Sequence, residues 1–322
     1  MIKVKFTLPR TIRVKLNSSC QYKCKFCHQE GDVEAKDIDG KQLLQAMKVF
    51  SKDLGVNRIH FTGGEPTLYQ IFSGVLKSCN KAGYDCALTT NGQFDARKLP
   101  LLVKSGLNSI NFSLHTLDAY AFLTMQSMNT GISNSFEWAN ECINKTLENI
   151  VFANYTLATK VNCVVSDDFI SPQEVLNFCV KNRIKLRMLN NLGMGQKALN
   201  KINRIINTNQ AELIGHEITF LSSSHRLDYQ IEDYEFGVKC IRNFYLRSIC
   251  DGCEIRKSKK CLEGFYGIRL ENNPLQVRLC LQQNQSPFVQ DLEKFIVSEQ
   301  YEEIKNIYST IKDYLLYDLG RE

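Results

Sequence analysis

Three cysteines near the N-terminus have a spacing that suits an iron–sulfur cluster. Cys20, Cys24 and Cys27 form a C-x3-C-x2-C pattern within NSSCQYKCKFCHQEG. Zinc ligands usually come as C-x2-C with a distant second pair, so this interval is unusual for zinc. Three thiolates on one short loop can bind three corners of a cubane [4Fe–4S] cluster. The fourth iron would then lack a protein ligand and would be open to chelation by a small molecule.

A second segment with chemical character follows the next predicted strand, in RIHFTGGEPTLY. Gly63 and Gly64 allow backbone carbonyls to come close to a ligand, because neither residue has a Cβ atom. Glu65 offers negative charge to an ammonium group, and Pro66 stiffens the turn into the following helix. This pattern predicts a binding loop at the end of a strand.

Together the two motifs resemble those of the radical SAM superfamily, in which the open iron binds S-adenosylmethionine through its amino and carboxylate groups. Phe26, directly before the third cysteine, fits the aromatic residue that the family usually has there. The resemblance implies that the segment Gly63–Pro66 meets the amino group of the methionine part of the cofactor. It also implies further contacts with S-adenosylmethionine, from Thr90 and Asn91 in TTNG, Ser113, Asn162 and Arg187.

Four more cysteines lie close together in the C-terminal part of the chain: Cys250, Cys253, Cys261 and Cys280. Four thiolates at these intervals indicate either a zinc site or a second iron–sulfur cluster. The arrangement resembles the SPASM and twitch extensions of radical SAM enzymes, which favours a second [4Fe–4S] cluster. Cys240 is open to three interpretations, a spare ligand, a hydrogen-atom donor or a packing residue, and packing is favoured.

The chain also resembles the GTP cyclase branch of the superfamily, which begins molybdenum-cofactor synthesis. Arg13 and Lys160 match positions where the cyclase places cations on its nucleotide triphosphate, and Arg269 resembles an arginine between the auxiliary cysteines. Tyr69, the fourth auxiliary cysteine and the terminal DLGRE depart from the cyclase pattern. The resemblance therefore predicts a relative of the cyclase. Arg13 and Lys160 alternate with apolar residues, so solvated charges at a barrel end remain an alternative.

The elements that must position these residues alternate between strands and helices. Apolar runs rich in β-formers occur at Thr11–Leu16, Arg58–Phe61, Tyr84–Thr89, Ser109–Leu114, Leu157–Val165 and Ile184–Leu189. Such alternation predicts an α/β fold with a parallel sheet, and the resemblance implies an open six-unit (β/α)6 partial TIM barrel. We predict this barrel at residues 1–190, a connector at 191–235 with helical pieces near Gln210–Leu221, and an auxiliary-cluster domain with a C-terminal helix at 236–322.

Composition favours a cytoplasmic enzyme. The 322 residues are 43% hydrophobic and 23% charged, enough for one large domain and an appendage. The sequence has neither a membrane-spanning apolar run nor the apolar region of a signal peptide. Thirteen cysteines without an export signal favour reduced thiols and metal over disulfides. The net charge of +6 is mild and spread out, so it does not favour a nucleic-acid partner.

These observations predict an enzyme that cleaves S-adenosylmethionine reductively to a 5′-deoxyadenosyl radical. The radical would abstract hydrogen from a small anionic substrate, with a nucleotide as leading candidate, in a biosynthetic step. A reductant such as flavodoxin or ferredoxin would supply the electron. Two alternatives stay open: a radical SAM maturase that modifies a ribosomal peptide, and a non-catalytic iron–sulfur or zinc protein.

Overall fold

The computed structural model describes residues 2–27, 36–126, 135–166 and 172–319, with side chains up to residue 311. Within these residues one sheet contains thirteen strands. The strands are β1 (Lys3–Thr7), β2 (Thr11–Lys15), β3 (Arg58–Thr62), β4 (Asp85–Thr90), β5 (Leu107–Ser113), β6 (Ala158–Val165), β7 (Lys185–Asn190), β8 (Glu212–Thr219), β9 (Ser224–Ile231), β10 (Tyr234–Ile241), β11 (Arg269–Glu271), β12 (Gln276–Arg278) and β13 (Val289–Asp291). The helices are α1 (Gly40–Leu54), α2 (Phe72–Lys81), α3 (Lys98–Lys104), α4 (Ala119–Met125), α5 (Phe136–Asn154), α6 (Pro172–Lys181), α7 (Gln196–Thr208), α8 (Arg247–Cys250), α9 (Glu254–Lys257), α10 (Leu292–Phe295) and α11 (Glu299–Leu319).

The centre of the sheet is a run of six parallel strands, β2 to β7, paired in chain order. At least one helix separates each strand from the next. This arrangement confirms the predicted α/β class and the open six-unit (β/α)6 partial barrel. In such folds the carboxyl ends of the strands meet on one side of the sheet, where ligands bind.

Residue alternation in β6 shows how a strand divides its side chains between the two faces. Thr159, Val161, Cys163 and Val165 are buried, whereas the alternate residues remain partly exposed on the inner face. Helix α1 illustrates the outer layer. Its apolar residues Leu43, Met47, Phe50 and Leu54 are buried at helical spacing, and the Asp39 carboxylate caps its first turn.

The sheet continues beyond β7 through β10, β9, β8 and β1, with β9 antiparallel to both of its neighbours. The range predicted as a connector, 191–235, therefore contains helix α7 and strands β8 and β9. The helical pieces expected near Gln210–Leu221 are wrong, because this stretch holds β8 and the helix lies earlier, at Gln196–Thr208. The range predicted as a connector is rich in Asn and Ser, so the sequence did not clearly indicate a helix there. The apolar face of α7 is formed by Ile202, Ile205 and Ile206.

The C-terminal segment packs onto the barrel at two places. Strand β11 pairs in parallel with β2, which puts Arg269 opposite Arg13. Helix α11 packs on α1, where the Tyr301 hydroxyl donates to the Asp53 carboxylate at 3.0 Å. The division of the chain into barrel, connector and auxiliary domain stays a prediction. Of the helices described, none combines the length and apolar character needed to cross a membrane.

Candidate functional site

A cavity of about 900 Å³ is lined by residues from the inner face of the barrel and by loops that follow its strands. It brings together most of the residues that the sequence singles out. Its lining includes Arg13, Cys20, Cys24, Phe26, Cys27, Gly63, Gly64, Thr90, Asn91, Ser113, Asn162, Arg187 and Arg269. Other predicted residues lie outside this lining, namely Lys160, Glu65, Pro66, Cys250, Cys253, Cys261 and Cys280. A cavity of this size can hold a cofactor and a small substrate.

The loop with the three N-terminal cysteines follows β2 and is held by contacts with the end of α4. Lys25 N donates to the Met125 carbonyl at 2.9 Å, and Lys23 N donates to Gln126 Oε1 at 3.0 Å. Donors also point at the sulfurs: Tyr22 N lies 3.4 Å from Cys20 Sγ, and Gln126 Nε2 lies 3.8 Å from Cys24 Sγ. Because such bonds favour a sulfur that carries negative charge, they fit thiolates that bind iron.

Burial controls the protonation of these thiols. It raises the pKa of Cys20 to about 11 and that of Cys24 to about 12, and the charge of Cys27 raises both further. Cys20 and Cys24 are therefore protonated at neutral pH until a metal displaces the proton. Cluster assembly at this loop should release protons.

Among the described residues no three Cys, His, Asp or Glu side chains are close enough to hold a single metal ion. A tetrahedral zinc site with Zn–S bonds of about 2.3 Å would need thiols within about 4 Å of one another. Cubane thiolates bind separate irons and stand farther apart. The cluster hypothesis therefore does not require a compact group at either set of cysteines.

The two glycines after β3 allow a close approach between two backbone segments. A Cβ atom on Gly64 would lie 2.3 Å from the Ser19 carbonyl oxygen, and one on Gly63 would lie 2.5 Å from Asn17 Oδ1. Gly64 N donates to the Asn17 carbonyl at 3.0 Å. The glycines thus let the end of β3 pack against the cysteine loop while they also line the cavity.

Glu65 is fully buried, and its carboxylate faces the protein interior. Oε1 accepts from Thr67 N, Thr67 Oγ1 and Thr90 Oγ1 at 2.7–3.0 Å, and Oε2 accepts from Asn91 N at 2.7 Å. Burial raises the pKa of this carboxyl, whereas the four donors lower it. Glu65 therefore ties the end of β3 to the end of β4, and the glycines before it are the part of the motif that faces the cavity.

The far wall of the cavity offers polar atoms to a ligand. Asn162 on β6 lies beside Ser113 on β5 and Arg187 on β7. The Oδ1 atom of Asn162 is buried and has no hydrogen-bond partner among the described residues. An unpaired buried acceptor is costly, so a ligand donor would satisfy it. These residues fit the contacts that the resemblance implies for S-adenosylmethionine.

Cationic residues from several strands surround the inner part of the cavity. Arg13, Arg187, Lys239 and Arg269 line it, from β2, β7, β10 and β11. Burial lowers the pKa of Arg187, although a guanidinium stays charged at neutral pH. This concentration of positive charge favours an anionic ligand.

Lys160 lies on the inner face of β6, one alternation below Asn162. Burial, together with Arg187 and Arg226, lowers the pKa of Lys160 to about 7. Lys160 lies outside the cavity lining, so its role as a substrate residue stays a prediction.

Arg269 lines the cavity and forms a buried ion pair. Its Nη2 atom donates to Glu263 Oε1 at 2.9 Å, and both side chains are less than a tenth exposed. Part of its charge is therefore neutralised within the protein. Its proposed contact with substrate stays a prediction.

Several residues that line this cavity were not assigned to it from the sequence, and Lys239, Tyr266 and His60 are among them. Lys239 lies within a run predicted as part of the auxiliary region, and Tyr266 lies between auxiliary cysteines. His60 also lines the cavity, where Nε2 contacts Thr89 Oγ1 at 2.7 Å and Asn111 Nδ2 at 3.3 Å. Burial and nearby cations keep its pKa well below the usual range. Alternation in YEFGVKCI was the one signal that could have revealed Lys239.

The C-terminal cysteines lie near one another beside the cavity. Burial raises the pKa of Cys250 to about 11, and the charges of Cys261 and Cys280 add to this effect. Backbone N–H groups point at two of the sulfurs, from Gly264 to Cys261 at 3.4 Å and from Gln282 to Cys280 at 3.3 Å. These features fit metal-bound thiolates, and the choice between zinc and iron stays open.

Cys240 lies between two cavity-lining residues of β10, Lys239 and Ile241. Because side chains alternate along a strand, its thiol is on the opposite face and packs against the core. This placement agrees with the packing interpretation. All thirteen cysteines are free thiols.

Comparison with known proteins identifies the family. A sequence model of the radical SAM superfamily matches residues 14–162, which span the cysteine loop, the glycine motif and the strands up to β6. Residues 14–162 thus form a radical SAM domain. Such a domain implies a [4Fe–4S] cluster that binds S-adenosylmethionine, in agreement with the prediction from the cysteine loop.

Several relatives are GTP cyclases by name. A GTP 3′,8-cyclase of Clostridium perfringens is 26% identical over 282 residues, which cover 81% of this chain and 83% of the relative. A probable GTP 3′,8-cyclase of Thermoplasma volcanium is 32% identical over 139 residues, or 41% of each chain. For several of these relatives the similarity thus spans only about two fifths of their length. The structure of native anSMEcpe with bound AdoMet is similar in fold, with a TM-score of 0.54 at 14% identity over 92% of this chain and 82% of that one.

Proposed function

We propose that this radical SAM protein is an enzyme that activates a small anionic substrate, with a nucleotide triphosphate such as GTP as the first candidate. One observation carries the proposal: the three N-terminal cysteines, the paired glycines and a set of cations line the same cavity. The names of the cyclase relatives support the choice of GTP as the first compound to test.

The chain's own residues divide into two groups with different tasks. Cys20, Cys24 and Cys27 would hold the cluster, while Gly63, Gly64 and Asn162 would hold S-adenosylmethionine beside it. When bound, these groups supply the electron and the 5′-deoxyadenosyl radical that abstracts a hydrogen atom from the substrate. The protein positions the substrate and excludes water.

Apolar and aromatic residues supply the shielding near the cysteine loop. Phe26, Phe122 and Met125 line the cavity there, and the Phe26 ring packs edge-on against His115 with centroids 4.9 Å apart. Arg13 and Lys239, which line the same cavity, would bind the anionic group of the substrate. A partner reductant, with flavodoxin or ferredoxin as candidates, would deliver the electron.

The decisive test is the cleavage of S-adenosylmethionine by anaerobically reconstituted protein under dithionite. The wild type should form 5′-deoxyadenosine, and Cys20→Ala, Cys24→Ala and Cys27→Ala should each abolish it, because the cluster loses a corner. Cys240→Ala is the matched control, since this half-buried thiol faces away from the cavity. Cleavage that survives in any of the three variants would refute the assignment.

Substrate class needs a separate assay. Addition of GTP to the active protein should increase the yield of 5′-deoxyadenosine and consume the nucleotide. If short peptides replace GTP in this effect while GTP has none, the maturase alternative is correct and the nucleotide proposal is not.

A further inference from the structure

Tyr266 lies in the segment between β10 and β11 and lines the cavity. The Ser222 hydroxyl, from the turn between β8 and β9, donates to the Tyr266 carbonyl at 2.7 Å. This bond fixes the backbone of Tyr266 to the extension of the sheet. The position of the ring in the cavity is therefore set by the fold.

Two cations contact this ring directly. Lys239 Nζ lies 4.0 Å from the ring centroid, and Arg269 Cζ lies 5.4 Å from it. Arg13 on β2 and Arg187 on β7 line the same cavity. Tyr266 thus lies in the same cavity as four cations and in contact with two of them.

We propose that Tyr266 binds the anionic group of the substrate through its hydroxyl, and that this anion enters the cavity together with one proton. The inference rests on the proposed function, because it assumes an anionic substrate. It adds a residue for which the motifs above gave no role.

The charges around Tyr266 support the coupling to a proton. Lys239 first, then Arg13, Arg187 and Arg269, lower the pKa of Tyr266 to about 7 against the opposing effect of burial. Before an anion arrives, the phenolate can balance part of the positive charge.

The other ionisable residues nearby do not supply such an anion. Glu263 is paired with Arg269, and the pKa of His60 lies far below neutrality. An incoming anion would repel the phenolate of Tyr266. The phenolate oxygen then takes a proton from solvent, and the resulting O–H can donate to the anion.

This coupling has a measurable consequence for affinity. Above a pH of about 7, each bound anion must bring one proton, so its association constant should fall about tenfold per pH unit. Lys160 complicates this slope because its pKa is also about 7, and it loses positive charge over the same range. A variant of each residue separates the two effects.

The experiment measures binding of sulfate, which stays a dianion, to the reconstituted protein with S-adenosylmethionine from about pH 6 to about pH 9. For the wild type, the association constant for sulfate should fall steeply as the pH rises. In Tyr266→Phe, the slope of the logarithm of the association constant against pH should become shallower by about one unit. In Lys160→Met, the part of the slope that is due to Tyr266 should remain. The ultraviolet absorption of tyrosinate gives a second measurement. A single tyrosine of the thirteen should ionise near pH 7, and sulfate should suppress this signal.

Lys239→Met is a second variant that keeps the tyrosine. Because Lys239 has the largest effect on Tyr266, its removal should move the tyrosinate signal to higher pH. An unchanged slope in Tyr266→Phe, or the absence of a tyrosine that ionises below about pH 9, would overturn the inference.

Cleavage of S-adenosylmethionine is measured separately. Its failure in the wild type would refute the proposed function, whereas normal cleavage with an unchanged slope in Tyr266→Phe would refute only the role of Tyr266. Sulfate that binds without any dependence on Tyr266 or Lys239 would count as an adventitious ion only.

Discussion

At the scale of single residues, Arg13 is better placed than Lys160 to bind the substrate. Arg13 lines the cavity beside Arg269 and His60, whereas Lys160, on the inner face of β6, lies outside the lining. Spacing relative to a motif does not show which of the two residues lines the cavity.

We expect Arg13→Ala to lower kcat/KM for the substrate about ten- to a hundredfold, because a charge-assisted contact contributes roughly 1.5–3 kcal/mol. Lys160→Met should have a smaller effect. Lys185→Met is the control, since Lys185 is the exposed neighbour of Lys160 on β7. Equal losses for Arg13 and Lys160 would contradict this ranking.

His115 gives a prediction about pH and stability. Its Nδ1 atom accepts from Val164 N at 3.0 Å, and burial lowers its pKa to about 4. Below about pH 6.5 the unfolded chain binds a proton that the native protein does not bind, so the free energy of unfolding should fall as the pH decreases towards 4. The loss from this residue should reach about 3 kcal/mol.

His115→Asn is the matched variant, because an amide oxygen can still accept from Val164 N but does not titrate. Denaturant unfolding at several pH values should show a shallower decline for the variant. If the free energy of unfolding fell equally with decreasing pH in the two proteins, His115 would bind its proton equally well in the native and the unfolded state.

The residues of the cluster loop and the glycine motif were predictable because short motifs carry them. Their detailed roles were not. The sequence suggests Glu65 as a charge for a ligand, but in the structure its carboxylate accepts four hydrogen bonds within the protein. The direction of a side chain depends on partners from another strand, here Thr90 and Asn91, which no local pattern reveals.

At the scale of elements, helix α8 carries Cys250. Its N-cap residue, Leu246, has no side-chain acceptor for the N–H groups of the first turn. Glu303 on α11 supplies the missing acceptor. Its carboxylate accepts from Arg247 N at 2.8 Å, Ser248 N at 3.0 Å and Ser248 Oγ at 2.5 Å. A distant helix thus holds the element that presents an auxiliary cysteine.

Glu303→Ala should destabilise the protein by about 1–2 kcal/mol, because the first N–H groups of α8 lose their acceptor. Metal bound by the C-terminal cysteines should also be lost faster to a chelator. Glu302→Ala is the control, since Glu302 is exposed and its ion pair with Lys305 contributes little. Identical chelator kinetics in the two variants would show that α11 does not support the metal site.

Elements with regular alternation were predicted closely, as for β6, expected at Leu157–Val165 and found at Ala158–Val165. The strands after β7 were missed. In β8 and β9 nearly all residues are only partly buried, so no strong apolar alternation marks them. Lys239 was missed with these strands, since its place in the cavity depends on pairing between β10 and β7.

At the scale of the whole molecule, the two sets of cysteines lie outside the strands, one in the loop after β2 and the other in segments between β10 and β13. If the C-terminal set holds a second cubane, reconstituted protein should contain about eight irons. A variant with Cys20, Cys24 and Cys27 all changed to Ala should keep about half of them. Metal analysis that finds four irons and one zinc would instead support a zinc site at the C-terminal cysteines.

The pairing of β11 with β2 has a consequence for the order of assembly. Every residue assigned to the cluster or to S-adenosylmethionine lies before β8, whereas Lys239, Tyr266 and Arg269 are synthesised later. A ribosome-bound chain from which β7 has just emerged could therefore form the cofactor pocket with one wall still absent. Iron delivered at that moment would face solvent and oxygen. We expect the yield of intact cluster to be higher when iron is delivered after the chain is complete than when it is delivered during translation.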